Sequence, residues 1–313
     1  MSSQAQTHAH TARPGAAARR RIFVTGAGGQ TGLHVLGRLR DCADADIVAG
    51  VYEGAPEEAQ TRIRQCCSNA EIRQIDADDL GGLVDAFRGT DALFIVPTAT
   101  DHKVAHARNY IRAAKRASVP FVLLLSMAGA EARSHLFADQ FRDIEETLLA
   151  TGLPGFCVLR SSFYMQNLLL YRDEMRRGVL PLPVRGGAFN PVDVDDVAAA
   201  ARAILVDCER HRGRWYTVAG PAPMAAADMA AAVSQALGQA VSWKDIPRSE
   251  ARAILQRQRV PAVEINGLVD FYEAVAKHDL ADQAANDFEA ITGSKPTSLE
   301  AFFKRHRQEI VPA

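Results

Sequence analysis

Three observations predict an α/β fold built on a doubly wound parallel sheet, with a smaller C-terminal α/β unit beside it. A short β-branched strand near the start runs straight into a glycine-rich turn and a helix. Strands and helices then alternate as far as residue 160, at the spacing of βαβ units. Beyond that point short strands, a Gly/Pro-rich stretch and further helices take over.

The head of the fold is RIFVTGAGGQTG, residues 21–32. Residues 22–25 form a short apolar run with polar flanks, the pattern of a buried parallel strand. Gly26, Gly28, Gly29, Gln30, Thr31 and Gly32 follow, and Leu33, Val35, Leu36 and Leu39 recur at near-helical spacing. In that order each glycine has a use. Gly26 permits a tight turn out of the strand. Gly29, without a Cβ, lets backbone approach a pyrophosphate, and Gly32 lets the helix pack closely. The helix N-terminus offers free N–H groups and partial positive charge to the phosphates. The spacing is G-x-x-G-x-x-G rather than G-x-G-x-x-G, with Gly28 keeping the loop permissive. After a strand and before a helix, it reads as a Rossmann-type dinucleotide site.

The remaining elements follow in order. A strand over 46–51 ends at Tyr52 and Glu53, 21 residues beyond Gly32, where a carboxylate would bond the adenosine ribose hydroxyls and repel a 2′-phosphate. A helix is expected over 59–67 and a strand over 71–75. Asp76, Ala77, Asp78 and Asp79 then read either as caps for a helix over 80–87 or as an adenine edge, with capping preferred for Asp78 and Asp79. A strand over 91–96 ends at Pro97 and Thr98 and leads to a helix over 101–117. His102 and His106 share one face of it and read as solvated. A strand over 120–125 ends at Ser126, and a helix over 136–150 precedes a strand over 156–160. The C-terminal ends of such strands form one ligand crevice.

A helix is expected to start at Ser161 and run to Glu174. Residues 177–190, rich in Gly and Pro, read as a substrate lid or as a hairpin turning at Gly186–Gly187. Asp193, Asp195 and Asp196 open an Ala-rich helix through Val206, favoured there by the helix dipole. A strand over 214–218, a helix over 225–237 closed by Gly238, a strand over 241–246 and a mainly helical remainder complete the chain. The expected division is a leader over 1–20, a dinucleotide-binding domain over 21–160 and a smaller substrate or partner domain over 161–313, with segments around 190–220 returning to the first.

Composition narrows the function. The chain has 313 residues and a formal net charge of −1, and no basic stripe suits it to nucleic acid. No apolar run approaches the roughly 20 residues of a membrane span. The five cysteines are odd in number and form no CxxC, which argues against a disulfide framework or structural zinc and fits a reducing cytoplasm. Residues 1–20 carry no acid and no apolar period. They read as a disordered leader, with some likeness to a transit peptide.

Taken together, VTGAGGQTG, DALFIVP, IRAAKRASVPFVLLLS, IEETLLATGLPGFCVLRSSFYMQNLL, NPVDVDDVAAAARAIL and ITGSKPTSLEAFFKRH resemble the NmrA-like family, an atypical branch of the short-chain dehydrogenase/reductase superfamily. The resemblance implies NAD(P)(H) binding, and either reduction of quinones, carbonyls or related acceptors or a redox-sensing role without turnover. It assigns Gly26, Gly29, Gln30, Thr31 and Gly32 to the pyrophosphate. It lines the cleft with Thr98 and Ser126 and sets residues 160–163, Ser162 and Phe163 among them, near the nicotinamide. Two departures stand out. Many relatives carry an arginine for the NADP 2′-phosphate where this chain has Tyr52, followed by Glu53, which favours NADH over NADPH; Arg62 or Arg64 could still reach a phosphate. Several reductases carry a lysine where this chain has Phe141, and the superfamily's Tyr-x-x-x-Lys pair is absent after Ser126. Ser126 and Tyr164 are left as candidate proton donors. The leading expectation is a cytoplasmic NAD(P)H-dependent reductase of a small apolar or aromatic quinone-, carbonyl- or imine-like acceptor, with no metal. The alternative is an NAD(P)(H)-binding sensor acting through protein partners.

Overall fold

The computed structural model describes residues 19–278 and 285–311; most of the expected leader lies outside them. The first half alternates strictly: β1 (Arg20–Val24), α1 (Gln30–Leu39), β2 (Ala45–Tyr52), α2 (Glu57–Cys66), β3 (Glu71–Ile75), α3 (Leu80–Phe87), β4 (Ala92–Ile95), α4 (Lys103–Arg116), β5 (Phe121–Met127), α5 (Leu136–Thr151) and β6 (Phe156–Ser161). The second half holds α6 (Arg172–Arg176), β7 (Val179–Pro181), β8 (Ala188–Phe189), α7 (Val194–Val206), β9 (Arg214–Val218), β10 (Met224–Ala225), α8 (Ala226–Leu237) and β11 (Ser242–Lys244). It ends in α9 (Arg248–Arg257), α10 (Ala262–Ala276), α11 (Phe288–Thr292), α12 (Leu299–Arg305) and α13 (Arg307–Ile310).

Seven strands form one parallel sheet in the order β3-β2-β1-β4-β5-β6-β9. The period of two divides their side chains between two cores. Ile22, Val24, Phe94 and Leu123 pack against α1 and α7 on one face. Phe23, Leu93, Val122 and Val158 pack against α3, α4 and α5 on the other. Burial on both faces is why these strands read as unbroken apolar runs rather than alternating ones. The order of strands reverses between β1 and β4, the switch point at which ligands bind in such sheets.

A further core is built from Tyr171, Met175, Phe189, α8, α9, α10 and the Phe302–Phe303 pair of α12. Two expectations are corrected here. Residues 161–164 are not helical, because their backbone groups are spent elsewhere. Ser162 N–H bonds Val218 O, Met165 N–H bonds Val192 O, and Val192 N–H returns to Phe163 O. A 3₁₀ turn follows only at Met165–Tyr171. Nor do residues 177–190 form a lid or hairpin. Leu180, Leu182 and Val184 are fully buried, β7 pairs in parallel with β11, and β8 pairs antiparallel with β10. Gly187 packs so closely on α10 that a Cβ there would lie 2.2 Å from Val275 O. Gly187 therefore serves a close approach inside a core, while Gly186 is exposed and takes a φ of +77°.

Candidate functional site

The crevice starts at the glycine turn. Gly26 has φ +59°, and a Cβ on it would meet Val96 O at 3.1 Å and Thr98 Cγ2 at 3.6 Å. The turn thus lies directly against the exit of β4, with Pro97 and Thr98 half-buried beside it. Thr25 fixes that neighbourhood, its hydroxyl accepting from Val96 N–H at 2.9 Å. Gly29 is the N-cap of α1 and has no side chain to bond the first-turn N–H groups. Gly29 and Gln30 are exposed. A Cβ on Gly32 would come 2.3 Å from Gly26 O and 2.7 Å from Ala27 Cα, so the close packing it permits is against its own loop.

The neighbouring strand ends complete the wall. Tyr52 is 62% exposed, and Glu53 is exposed with its N–H on Ile75 O at 3.1 Å. Arg62 of α2 donates to Gly28 O at 3.3 Å, bringing a guanidinium to the loop. Asp76 accepts from Asp78 N–H at 2.9 Å, and Asn109 donates to Ala77 O at 2.9 Å. Asp79 caps α3 through Gly81 N–H. Asp78 does not cap; its carboxylate lies 3.6 Å from His106 Nε2.

Tyr164, one candidate donor, joins a chain of polar groups that ends on the Ser126 carbonyl. Ser161 Oγ lies 3.3 Å from Ser126 O and 3.4 Å from Tyr164 Oη, and Tyr164 Oη lies 3.2 Å from Thr31 Oγ1. Burial raises the Tyr164 phenol above its ordinary range, which makes it a weaker acid. The Ser126 hydroxyl donates to Glu145 Oε1 at 2.7 Å. Glu145 is fully buried and is held by Arg160 through two bonds of 2.8 and 2.9 Å. Arg160 also pairs with Glu131 at 2.6 Å and lies 4.9 Å over the Trp215 ring. The Ser126 hydroxyl proton is therefore held inside a buried ionic network. Ser162 is buried on β9, and Phe163 turns its ring onto Phe271 at 4.9 Å and Phe189 at 5.0 Å.

Several residues here carried no signal in the sequence. Glu145 and Trp215 come from separate elements to meet Arg160, which the resemblance had set near the nicotinamide. Lys103 opens α4, is 4% exposed, and puts its ammonium 4.3 Å over Phe137 and 5.1 Å over Phe141. His135 is buried with its ring edge-on to Phe271 at 5.5 Å. The sequence places these residues far apart, and a lone Lys or His at a helix start looks like solvent-facing punctuation.

The NmrA-like family model matches residues 18–303. The chain belongs to the NmrA-like family. Among similar proteins is a (4-alkanoyl-5-oxo-2,5-dihydrofuran-3-yl)methyl phosphate reductase of Streptomyces griseus, 31% identical over 77% of this chain and 83% of the relative. An NAD(P)H azoreductase of Xenophilus azovorans is 27% identical over 91% of this chain and 97% of its own. The crystal structure of an NADPH-dependent quinone oxidoreductase from Escherichia coli, complexed with NADPH, superimposes with a TM-score of 0.78 at 25% identity, over 91% of this chain and 99% of that one. The glycine loop's uncapped N–H groups, its exposed Gly29 and the lack of room for a Cβ at Gly32 fit a pyrophosphate laid across the start of α1. Among the described residues no helix is long and apolar enough to cross a membrane.

Proposed function

We propose that the chain is an NAD(P)H-dependent oxidoreductase of a small aromatic or apolar acceptor of the quinone, carbonyl or imine class. The observation that carries this reading is the cradle formed by Gly26–Gly32 against the β4 exit, at the switch point of the sheet. The reductase names of the relatives supply the reaction type. When bound, the reduced nicotinamide supplies the hydride.

The chain's own residues have distinct parts in this reading. The first-turn N–H groups of α1 hold the pyrophosphate. Glu53 accepts from the ribose hydroxyls, so NADH is preferred to NADPH. Ser126 is a positioning residue, because its hydroxyl is fixed on Glu145. Tyr164 braces Thr31 in the loop. Holding acceptor and nicotinamide at short range is most of what hydride transfer requires.

Fluorescence titration with NADH and NADPH, followed by turnover on a panel of quinones, aldehydes and azo compounds, tests the proposal. Saturable binding with turnover of at least one acceptor is expected. No saturable binding to either nucleotide would overturn it. Tight binding with no turnover on any acceptor would favour the sensor acting through protein partners.

A further inference from the structure

Lys103 is a cation in an expensive place. It is 4% exposed and has neither a hydrogen bond from Nζ nor an ion pair among the described residues. It also occupies the first turn of α4, where the helix dipole disfavours a positive charge and no acid is present to compensate. Its ammonium instead sits over the faces of Phe137 and Phe141, both on α5. Glu264 of α10 is the one charged group whose field acts on it, and that carboxyl is itself pushed up by burial. On α10 Glu264, Gly267 and Phe271 recur at helical spacing, and a Cβ on Gly267 would strike the Phe137 ring at 1.9 Å. Glycine at that position lets the aromatic wall under the ammonium close.

These elements adjoin the strand ends: Lys103 begins the helix that follows Pro97–Thr98, while Phe271 stacks on Phe163, two residues past β6. A cation held over aromatic rings, without a counter-ion in contact, is suited to a substrate that is flat and becomes anionic.

Building on the oxidoreductase reading above, we propose that Lys103 is the proton donor to the reduced acceptor. The ammonium is delivered from the start of α4, across the Phe141 ring. An acceptor bound beside the ammonium gains a hydride, and its oxygen or nitrogen takes on the negative charge. The Nζ–H bond then breaks, its proton bonds to that heteroatom, and the neutral amine left behind is reprotonated from water. Burial pulls the Lys103 ammonium down to about 8, with Glu264 opposing. Of the other titratable groups nearby, His135 at the start of α5 is held neutral by burial, His102 of α4 is exposed, and His106, expected to be solvated, is instead largely buried beside Asp78. A proton donor of this kind works below its own titration and fails above it.

The test has two arms. Lysine side chains labelled with ¹³C are titrated by NMR in the protein without nucleotide, where only six lysines contribute signals. One Cε resonance should titrate near pH 8 and be missing in Lys103→Met. In turnover, wild-type kcat should fall as pH rises through about 8. Lys103→Met should lower kcat by about 10²-fold, remove that pH dependence and change the NADH KM by less than about threefold. Lys103→Arg keeps the charge over the rings but cannot release its proton, so it should fold like wild type and turn over as slowly as the Met variant. Wild-type turnover that is flat across pH 7–9, or an arginine variant with full kcat, would overturn the proposal while leaving the oxidoreductase reading intact. A wild-type chain that turns over no acceptor would overturn both.

Discussion

At the end of β2, a dinucleotide's adenosine ribose would meet two opposed charges. Glu53 is exposed and forms no ion pair among the described residues, while Arg62 reaches the loop through Gly28 O. Replacing Glu53 by Arg removes repulsion and adds a phosphate partner. The NADPH-to-NADH affinity ratio should rise about tenfold, equivalent to about 1.4 kcal/mol. Arg62→Ala should lower NADPH affinity more than NADH affinity; equal loss of both would place the 2′-position elsewhere. Gly29 gives a cleaner test of the loop. Its φ of −83° suits any residue and a Cβ there would lie 3.3 Å from Gly26 O, so Gly29→Val should lower the Tm only slightly yet abolish NADH fluorescence enhancement by crowding the pyrophosphate. Glu145 shows the opposite balance, with stability at stake. Glu145→Ala would leave Arg160, half-buried over Trp215, with Glu131 as its one remaining ion-pair partner among the described residues. A loss of about 3 kcal/mol in urea unfolding is expected.

Helix α1 carries two glycines that the structure treats oppositely. A Cβ on Gly32 would press on backbone at 2.3 Å, whereas one on Gly37 would meet nothing within 4 Å. Gly32→Ala should therefore cost about 1–3 kcal/mol and weaken NADH binding. Gly37→Ala should raise stability by about 1 kcal/mol through helix propensity alone. Thermal melts of the two variants should move in opposite directions. The contrast also marks what was legible. Strand-turn-helix order and apolar runs locate β1 to β6 within a residue or two, because local pattern and burial agree there. Residues 161–164 escape, since their conformation is set by pairing with residues 192 and 218. The Gly/Pro run of residues 177–190 misleads for a related reason. Glycine reports that the backbone needs freedom or close approach, not that the segment faces solvent.

The whole molecule joins a layered sheet to a second core, and the candidate site lies where side chains from both converge. Strand ends were readable because a parallel sheet puts them all at one edge. Lys103, His135 and Glu145 were not, because their meaning comes from α5 and α10 closing around them. His135 lies on that joint. Leu136 N–H beside it donates to Asp270 of α10 at 2.5 Å, and the imidazole packs on Phe271. Burial pulls His135 down to about 4, with Asp270 opposing. The folded protein therefore keeps His135 neutral while the unfolded chain takes up a proton near pH 6.5. Between those values the unfolded state binds more protons, so stability falls as pH drops from about 6.5 towards 4. The shift corresponds to a loss on the order of 3 kcal/mol from this one group. Urea unfolding at pH 7 and pH 5 should show about 2 kcal/mol of it. The wild-type midpoint should fall more steeply with acid than that of His135→Leu, whose core position no longer titrates. Equal acid slopes would show that the joint is held without cost to the imidazole.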